Sequence, residues 1–381
     1  IRNDAYDRWR DVLAEAAGTD RERVLVASVH QHDTPLADLE AQRILQAAGA
    51  GTQLIDLQFH ERSVQQAAAN LRQALPSATV VTHIGTGQAK VARVASNRRF
   101  LNEDGSPNYG RYSGGGNPAG RSAPEGTIDP MLKTITFWNG ETLLAALNSY
   151  STHPMSYYRT GRISADFPGL ARARRQAETP GALQIYASGA SGNVTAGKYN
   201  SGKPEMRQVL ADRLYRGMKA ASMATRKQPL REARFRVEEL NLDLRESPGF
   251  LPAEMAKSVG EGDDRVRQGL AALGLSWRKR VAAGQAIDVP LIDFGTAQLL
   301  LLPAEMYVEY QLYAQSLRPE SFVMVIGYGE CAPGYLPIER AWKEGDQNLG
   351  DWCWIAPGME PRIKRAIRSL LSPDHAKHDR P

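Results

Sequence analysis

From Met131 onward, short apolar runs alternate with stretches of helical period, and that alternation restricts the chain to layers of strands and helices. The segment MLKTITFWNGETLLAALNSY (131–150) reads as a hairpin turning at Asn139-Gly140, the strongest short-range hairpin signal. Beyond it, strands are predicted at 183–188, 232–240, as a pair across 287–302, and at 321–328. Helices are predicted at 167–178, 204–225, 252–258, 263–283, 304–317 and 359–371. Ahead of the hairpin the pattern predicts helices at 4–18, 37–49 and 61–75, a strand at 23–29 that stops at His30, and one or two strands bent at glycine within 77–94. The expected fold class is α/β: a layered mixed-sheet domain over 1–371 with helices packed on the sheets. The polar tail SPDHAKHDRP (372–381) is expected to be disordered.

One region fits neither period. Residues 102–128 are dense in Gly, Pro, Ser and Asn and read as a long loop, which in a compact domain tends to be functional. Charge excludes more than it suggests. The excess of 47 basic over 42 acidic residues is mild and spread along the chain, and the densest runs, ARARRQ (171–176) and WRKR (277–280), read as solvated helix faces. No aromatic-interleaved basic strand accompanies them, so a nucleic-acid partner is not expected. No uncharged apolar run is long enough to span a bilayer. Two cysteines, Cys331 and Cys353, are too few for a disulfide scaffold, although one bridge between them stays open.

Reactive residue types gather where predicted strands end, the usual place for sites in α/β layers. In VASVHQHDTP (26–35), an extended segment would point His30 and His32 to the same side, as a metal ligand with a neighbouring acid or as ordinary loop histidines. In NSYSTHPMSYY (148–158), a proline stops the strand and aims His153, a ligand or a hydrogen-bonded structural residue. The small residues of YASGASGNVTAGKYN (186–200) suit either a tight turn or exposed amides that hold an oxyanion. His60 and His83 read as structural, Asp166 as a helix N-cap, and Trp352 and Trp354 as site entrance or core.

The order HQHD, SNRR (96–99), IDPMLKTITFWNG with NSYSTHP, ISADFPG (163–169), SGASGN, LLPAEM and PGYLP (333–337) resembles the neutral/alkaline non-lysosomal ceramidase family, over roughly residues 20–345. That resemblance implies a zinc-dependent amidase that cleaves ceramide-like N-acyl lipids with a zinc-activated water. Carried over by motif, the Zn2+ ligands are His30, His153, Glu305 and Tyr335, and the further catalytic positions are His32, Arg98, Ser191 and again Tyr335. LPAEM occurs twice, and Glu305 is preferred over Glu254 because only the second copy follows a long apolar strand. Tyr328 is the nearest competitor of Tyr335. GASGN is shorter than the family's GDVSPN and lacks its Asp and Pro, which leaves Ser188 open beside Ser191. HQHDTP in place of HTHSGP puts Asp33 near the site. The resemblance further implies a small-molecule N-acyl lipid substrate met in transient contact with a membrane surface, no nucleic acid or protein partner, and a periplasmic or secreted location. A different N-acyl substrate, or a zinc-containing binding protein without catalysis, are the alternatives.

Overall fold

The computed structural model describes residues 1–261 and 264–372. Two sheets form its centre. The first orders its strands Leu183–Ser188, Thr142–Tyr150, Met131–Asn139, His83–Lys90 and Arg226–Pro229; only the first pair is parallel. The second orders Arg234–Leu240, Ile287–Asp293, Ala297–Leu301 and Phe322–Ile326, with only the last pair parallel.

Alternation along the strands explains how the sheets stack. Leu299, Leu301, Met324 and Ile326 meet Ile84, Ile135 and Ala187 of the first sheet in one apolar layer. The intervening Leu300, Val323 and Val325 point the other way, onto a core shared with Trp277, Tyr310, Ile363 and Ile367 of the helices Arg265–Ala282, Val308–Ser316 and Glu360–Leu371. On the far side, Leu132 and Tyr150 pack against Phe167, Leu210, Leu214 and Met218 from the helices Asp166–Glu178 and Glu205–Met223. The result is four layers, helix, sheet, sheet, helix, as the α/β expectation required. Lys133 Nζ and Ser149 Oγ bond the carbonyls of Val323 and Val325 at 2.8 and 2.7 Å and so fix the two sheets against each other.

Several sequence expectations are corrected. Residues 24–29 are extended but join no ladder; their backbone is held piecemeal, by Arg10 Nε on Val24 O, Ser188 Oγ on Val29 O, and Ser28 N donating to Tyr328 O. The helix expected from 304 begins at Val308, because Glu305–Met306 is a short strand paired in parallel with Tyr335–Leu336. In the other LPAEM copy, Glu254 lies exposed in the helix Pro252–Glu261, so one pentapeptide takes two conformations according to its tertiary partners. Asp166 is not an N-cap. It is the first helical residue, and its carboxylate accepts from Ser156 N, Phe167 N and Arg207 Nη2, tying the loop after His153 to two helices. Cys331 and Cys353 are free thiols, bonded to the carbonyls of Gly329 and Tyr335. His60 packs edge-on against Trp9, and His83 shares a hydrogen bond with Thr82. Of the tail expected to be disordered, Ser372 caps the last helix, its amide donating to Arg368 O, and 373–381 lie outside the described residues.

The long loop is organised by one buried cation. Arg111, 1% exposed, donates to the carbonyls of Asn97, Gly120, Pro124 and Glu125. Burial pulls its pKa down to about 10, still high enough to keep the charge. Because Asn97 immediately precedes Arg98, this anchor also places a predicted site residue. Arg111→Ala should therefore lower unfolding free energy by about 3 kcal/mol, read by chemical denaturation, since four buried carbonyls lose a charged donor.

Candidate metal centre

The predicted residues converge where strands from both sheets end. His153 follows Thr142–Tyr150, Ser191 follows Leu183–Ser188, Glu305 follows Ala297–Leu301, and Tyr328 follows Phe322–Ile326. All four are the C-terminal ends of the two parallel pairs. His30 and His32 arrive on the extended segment laid across these ends, and Arg98 arrives beside Ser96–Asn97, which pairs with Val194–Thr195.

His30 does not reach the site by strand alternation. Its φ is +66°, and Asp33, Ala304 and Tyr328 are likewise left-handed at +56°, +55° and +61°. Each costs roughly 1–2 kcal/mol in an L-residue, so the surrounding contacts must hold them, as at many functional sites. The consequence is close packing of rings. His30 lies 4.9 Å from His32 and 5.0 Å from His153, and stacks on Tyr328 at 4.5 Å, centroid to centroid.

Nε2 of His30 and Nε2 of His153 each stand 3.2 Å from Glu305 Oε2. That oxygen is buried and in hydrogen-bond geometry with neither ring. The His153 tautomer is fixed from behind: Nδ1 faces the carbonyls of Ser191 (2.7 Å) and Val194 (3.1 Å) and must donate, which leaves the lone pair on Nε2. Arg98 Nη2 approaches the same Nε2 at 3.2 Å, while its Nη1 donates to the Tyr335 hydroxyl at 2.7 Å. Nitrogens of His30, His32 and His153 all fall within 4.8 Å of one another.

Electrostatics agree with this arrangement. Burial, then the Arg98 guanidinium, pulls the His153 pKa down to about 4, and burial with the two other imidazoles pulls His32 down to about 2, so both rings are neutral near pH 7. Burial opposes ionisation of Glu305, but the facing imidazoles outweigh it and hold the carboxyl well below the usual carboxylate range. Burial raises the Tyr335 phenol despite Arg98 beside it. Imidazoles with a carboxylate are donor types that zinc accepts, and the convergence of these histidines and Glu305 fits such an ion.

Other predicted positions land differently. Ser191 is buried beside the centre, but its hydroxyl bonds Tyr328 OH at 2.7 Å and it is the carbonyl that faces His153. Ser188 holds the Val29 carbonyl, upstream of His30. The glycine-rich turn does not offer a ring of free amides: those of Gly189, Ala190, Gly192 and Val194 bond Tyr150 O, Gln311 Oε1, Met306 O and Ser191 O. Its smallness serves packing, since a Cβ on Gly192 would sit 2.2 Å from the Glu305 carbonyl oxygen. Asp33 turns away from the centre and accepts from Arg159 N, Thr160 N and Thr160 Oγ1, holding the loop that carries Tyr158. Sequence reasoning missed Trp352 as a partner of Glu305, whose Oε1 accepts its indole N–H at 2.6 Å. The proximity of two tryptophans to PGYLP was the only signal. A cleft of about 660 Å³ opens over the site, lined by His30, His32, Glu305, Tyr335, Trp352 and Tyr158 among others.

The architecture is that of the ceramidases. Neutral ceramidase from Pseudomonas aeruginosa superposes with a TM-score of 0.67 at 16% identity, over 97% of this chain and 64% of that one. A ceramidase complexed with C2 superposes with a TM-score of 0.67 at 16% identity, over 96% of this chain and 65% of that one. At such identity the likeness establishes the fold, and the chain spans a little under two thirds of the length of each structure it matches. No protein-family model and no curated protein matches the sequence.

Gly192→Ala should destabilise the protein by about 1–3 kcal/mol, because the new methyl must displace the Glu305 backbone rather than a flexible side chain. Thermal or urea unfolding reads this directly.

Proposed function

We propose that the chain is a zinc-dependent amidase that hydrolyses the amide bond of a ceramide-like N-acyl lipid. The observation that carries this reading is the convergence of His30 Nε2 and His153 Nε2 on one unpartnered oxygen of Glu305, 3.2 Å from each. The ceramidase-like fold and the ordered sequence motifs support the choice of reaction.

His30, His153, Glu305 and Tyr335 would hold the ion. Zinc bound there supplies a Lewis acid and brings the pKa of a coordinated water to about 7. The protein's own groups supply the rest. Arg98, buried and tied to Tyr335, carries a fixed positive charge next to the ligands, suited to the negative charge that develops on the amide oxygen. The Tyr335 phenol, kept neutral by burial, retains a proton to donate towards that oxygen. His32 has a buried Nδ1 with no partner, and this atom is positioned to accept a proton and return it to the leaving amine. Ser191 orients His153 through its carbonyl, and its buried hydroxyl, bonded to Tyr328 rather than to a base, is not set up as a nucleophile. The apolar side chains of Val29, Leu36, Tyr158 and Trp352 along the cleft suit an acyl chain, and a lipid substrate entails transient contact with a membrane surface at the cleft mouth. A periplasmic or extracellular location accords with that substrate.

The test joins metal analysis to a panel of fluorogenic N-acyl substrates of varied chain length. We expect one zinc per chain, hydrolysis that disappears on chelation and returns with zinc, and a loss of about 10³-fold or more in kcat/KM for His30→Ala and His153→Ala. Unchanged hydrolysis by the metal-free protein refutes the reading. Zinc binding without cleavage of any N-acyl compound would instead leave a binding protein.

A further inference from the structure

The two oxygens of Glu305 have unlike surroundings. Oε2 is turned to His30 and His153, whereas Oε1 accepts the Trp352 indole N–H at 2.6 Å. Rotation about the last side-chain bond of a glutamate is broad and nearly two-fold, so nothing intrinsic to the residue chooses which oxygen faces the rings, or at what tilt. The indole N–H makes that choice, because it can only donate.

Trp352 is in turn held on both sides. Its carbonyl accepts from Tyr335 N at 2.8 Å, so one residue touches the carboxylate through its ring and the phenol's backbone through its main chain. Trp354 meets it edge-on at 5.2 Å. The Arg2 guanidinium lies 5.6 Å from the Trp352 ring and 4.7 Å from that of Trp354, and is 2% exposed. It is fixed by donation to Cys331 O at 3.0 Å and Ala332 O at 2.8 Å, and by Asp38 Oδ2 at 3.3 Å. A desolvated guanidinium beside an indole is attracted to it, and its planar fork holds three acceptors at once.

We propose that Trp352 is the positioning residue that fixes the ligating oxygen of Glu305, with Arg2 as the clamp that holds the indole. The proposal rests on the reading of Glu305 as a metal ligand. It assigns to residues behind the ligands a share of metal affinity, as hydrogen-bonding partners of a ligand commonly have.

Zinc affinity, measured by chelator competition without any substrate, tests it. Trp352→Phe should weaken zinc binding about 10–100-fold, and Trp352→His, which keeps a ring N–H, should restore most of it. Trp354→Phe loosens the packing behind the indole but removes no bond to Glu305 and should weaken affinity far less than Trp352→Phe. In a Glu305→Gln background, Trp352→Phe should cost little more, because its effect passes through the carboxylate. An equal loss in both backgrounds, or wild-type affinity in Trp352→Phe, overturns the proposal. Should Trp352→Phe fail to fold, Arg2→Lys keeps the charge but loses the planar fork; a several-fold weakening then supports the clamp and unchanged affinity overturns it. Absence of zinc binding in the wild-type protein refutes the metal reading itself, whereas normal binding with indifferent variants refutes only the role of Trp352.

Discussion

Two imidazole nitrogens and a buried carboxylate oxygen meet beneath the cleft, and the carboxylate oxygen is hydrogen-bonded to neither ring. Left alone, such a cluster costs several kcal/mol, roughly the penalty for unpaired buried polar groups. Much of the surrounding chain is explained by the need to keep it in place. The Ser191 and Val194 carbonyls set the tautomer of His153, Gly192 lets its turn lie against the Glu305 backbone, and left-handed residues at 30, 304 and 328 bend three segments into one place. The four-layer body supplies the rigidity that these bends require, because the site hangs from the ends of strands packed into its layers.

Much of this was legible before any coordinates. Short apolar runs across 287–302 and at 321–328, and the Asn139-Gly140 turn, marked the strands, because buried strands and tight turns leave local marks. His30 and His153 stood out as histidines after apolar runs and Glu305 through the family resemblance; His153 and Glu305 converge because their strands end on one side, whereas His30 is brought in by its left-handed turn. Tyr335 pairs directly with Glu305, which accounts for two distant motifs belonging together.

What escaped the sequence was set by non-local partners. Residues 23–29 look like a strand, yet their backbone groups are taken up by Arg10, Ser188 and Tyr328 rather than by a neighbour in a ladder. Asp166 has the composition of a cap, but Arg207, 41 positions away, draws it into a different role. The glycines at 189 and 192 suggested free amides, whereas their amides are bonded and their lack of a side chain is what matters. Trp352 was marked only by its nearness to PGYLP, since an indole that fills a core and one that holds a carboxylate are the same letter.

The stitch between Arg2 and the carbonyls of Cys331 and Ala332 spans 329 and 330 positions. Contacts of such separation close late in folding, because the long stretch between them must already be compact. The helix Asn3–Ala17 thereby depends on a segment far from it along the chain, and the two are ordered together.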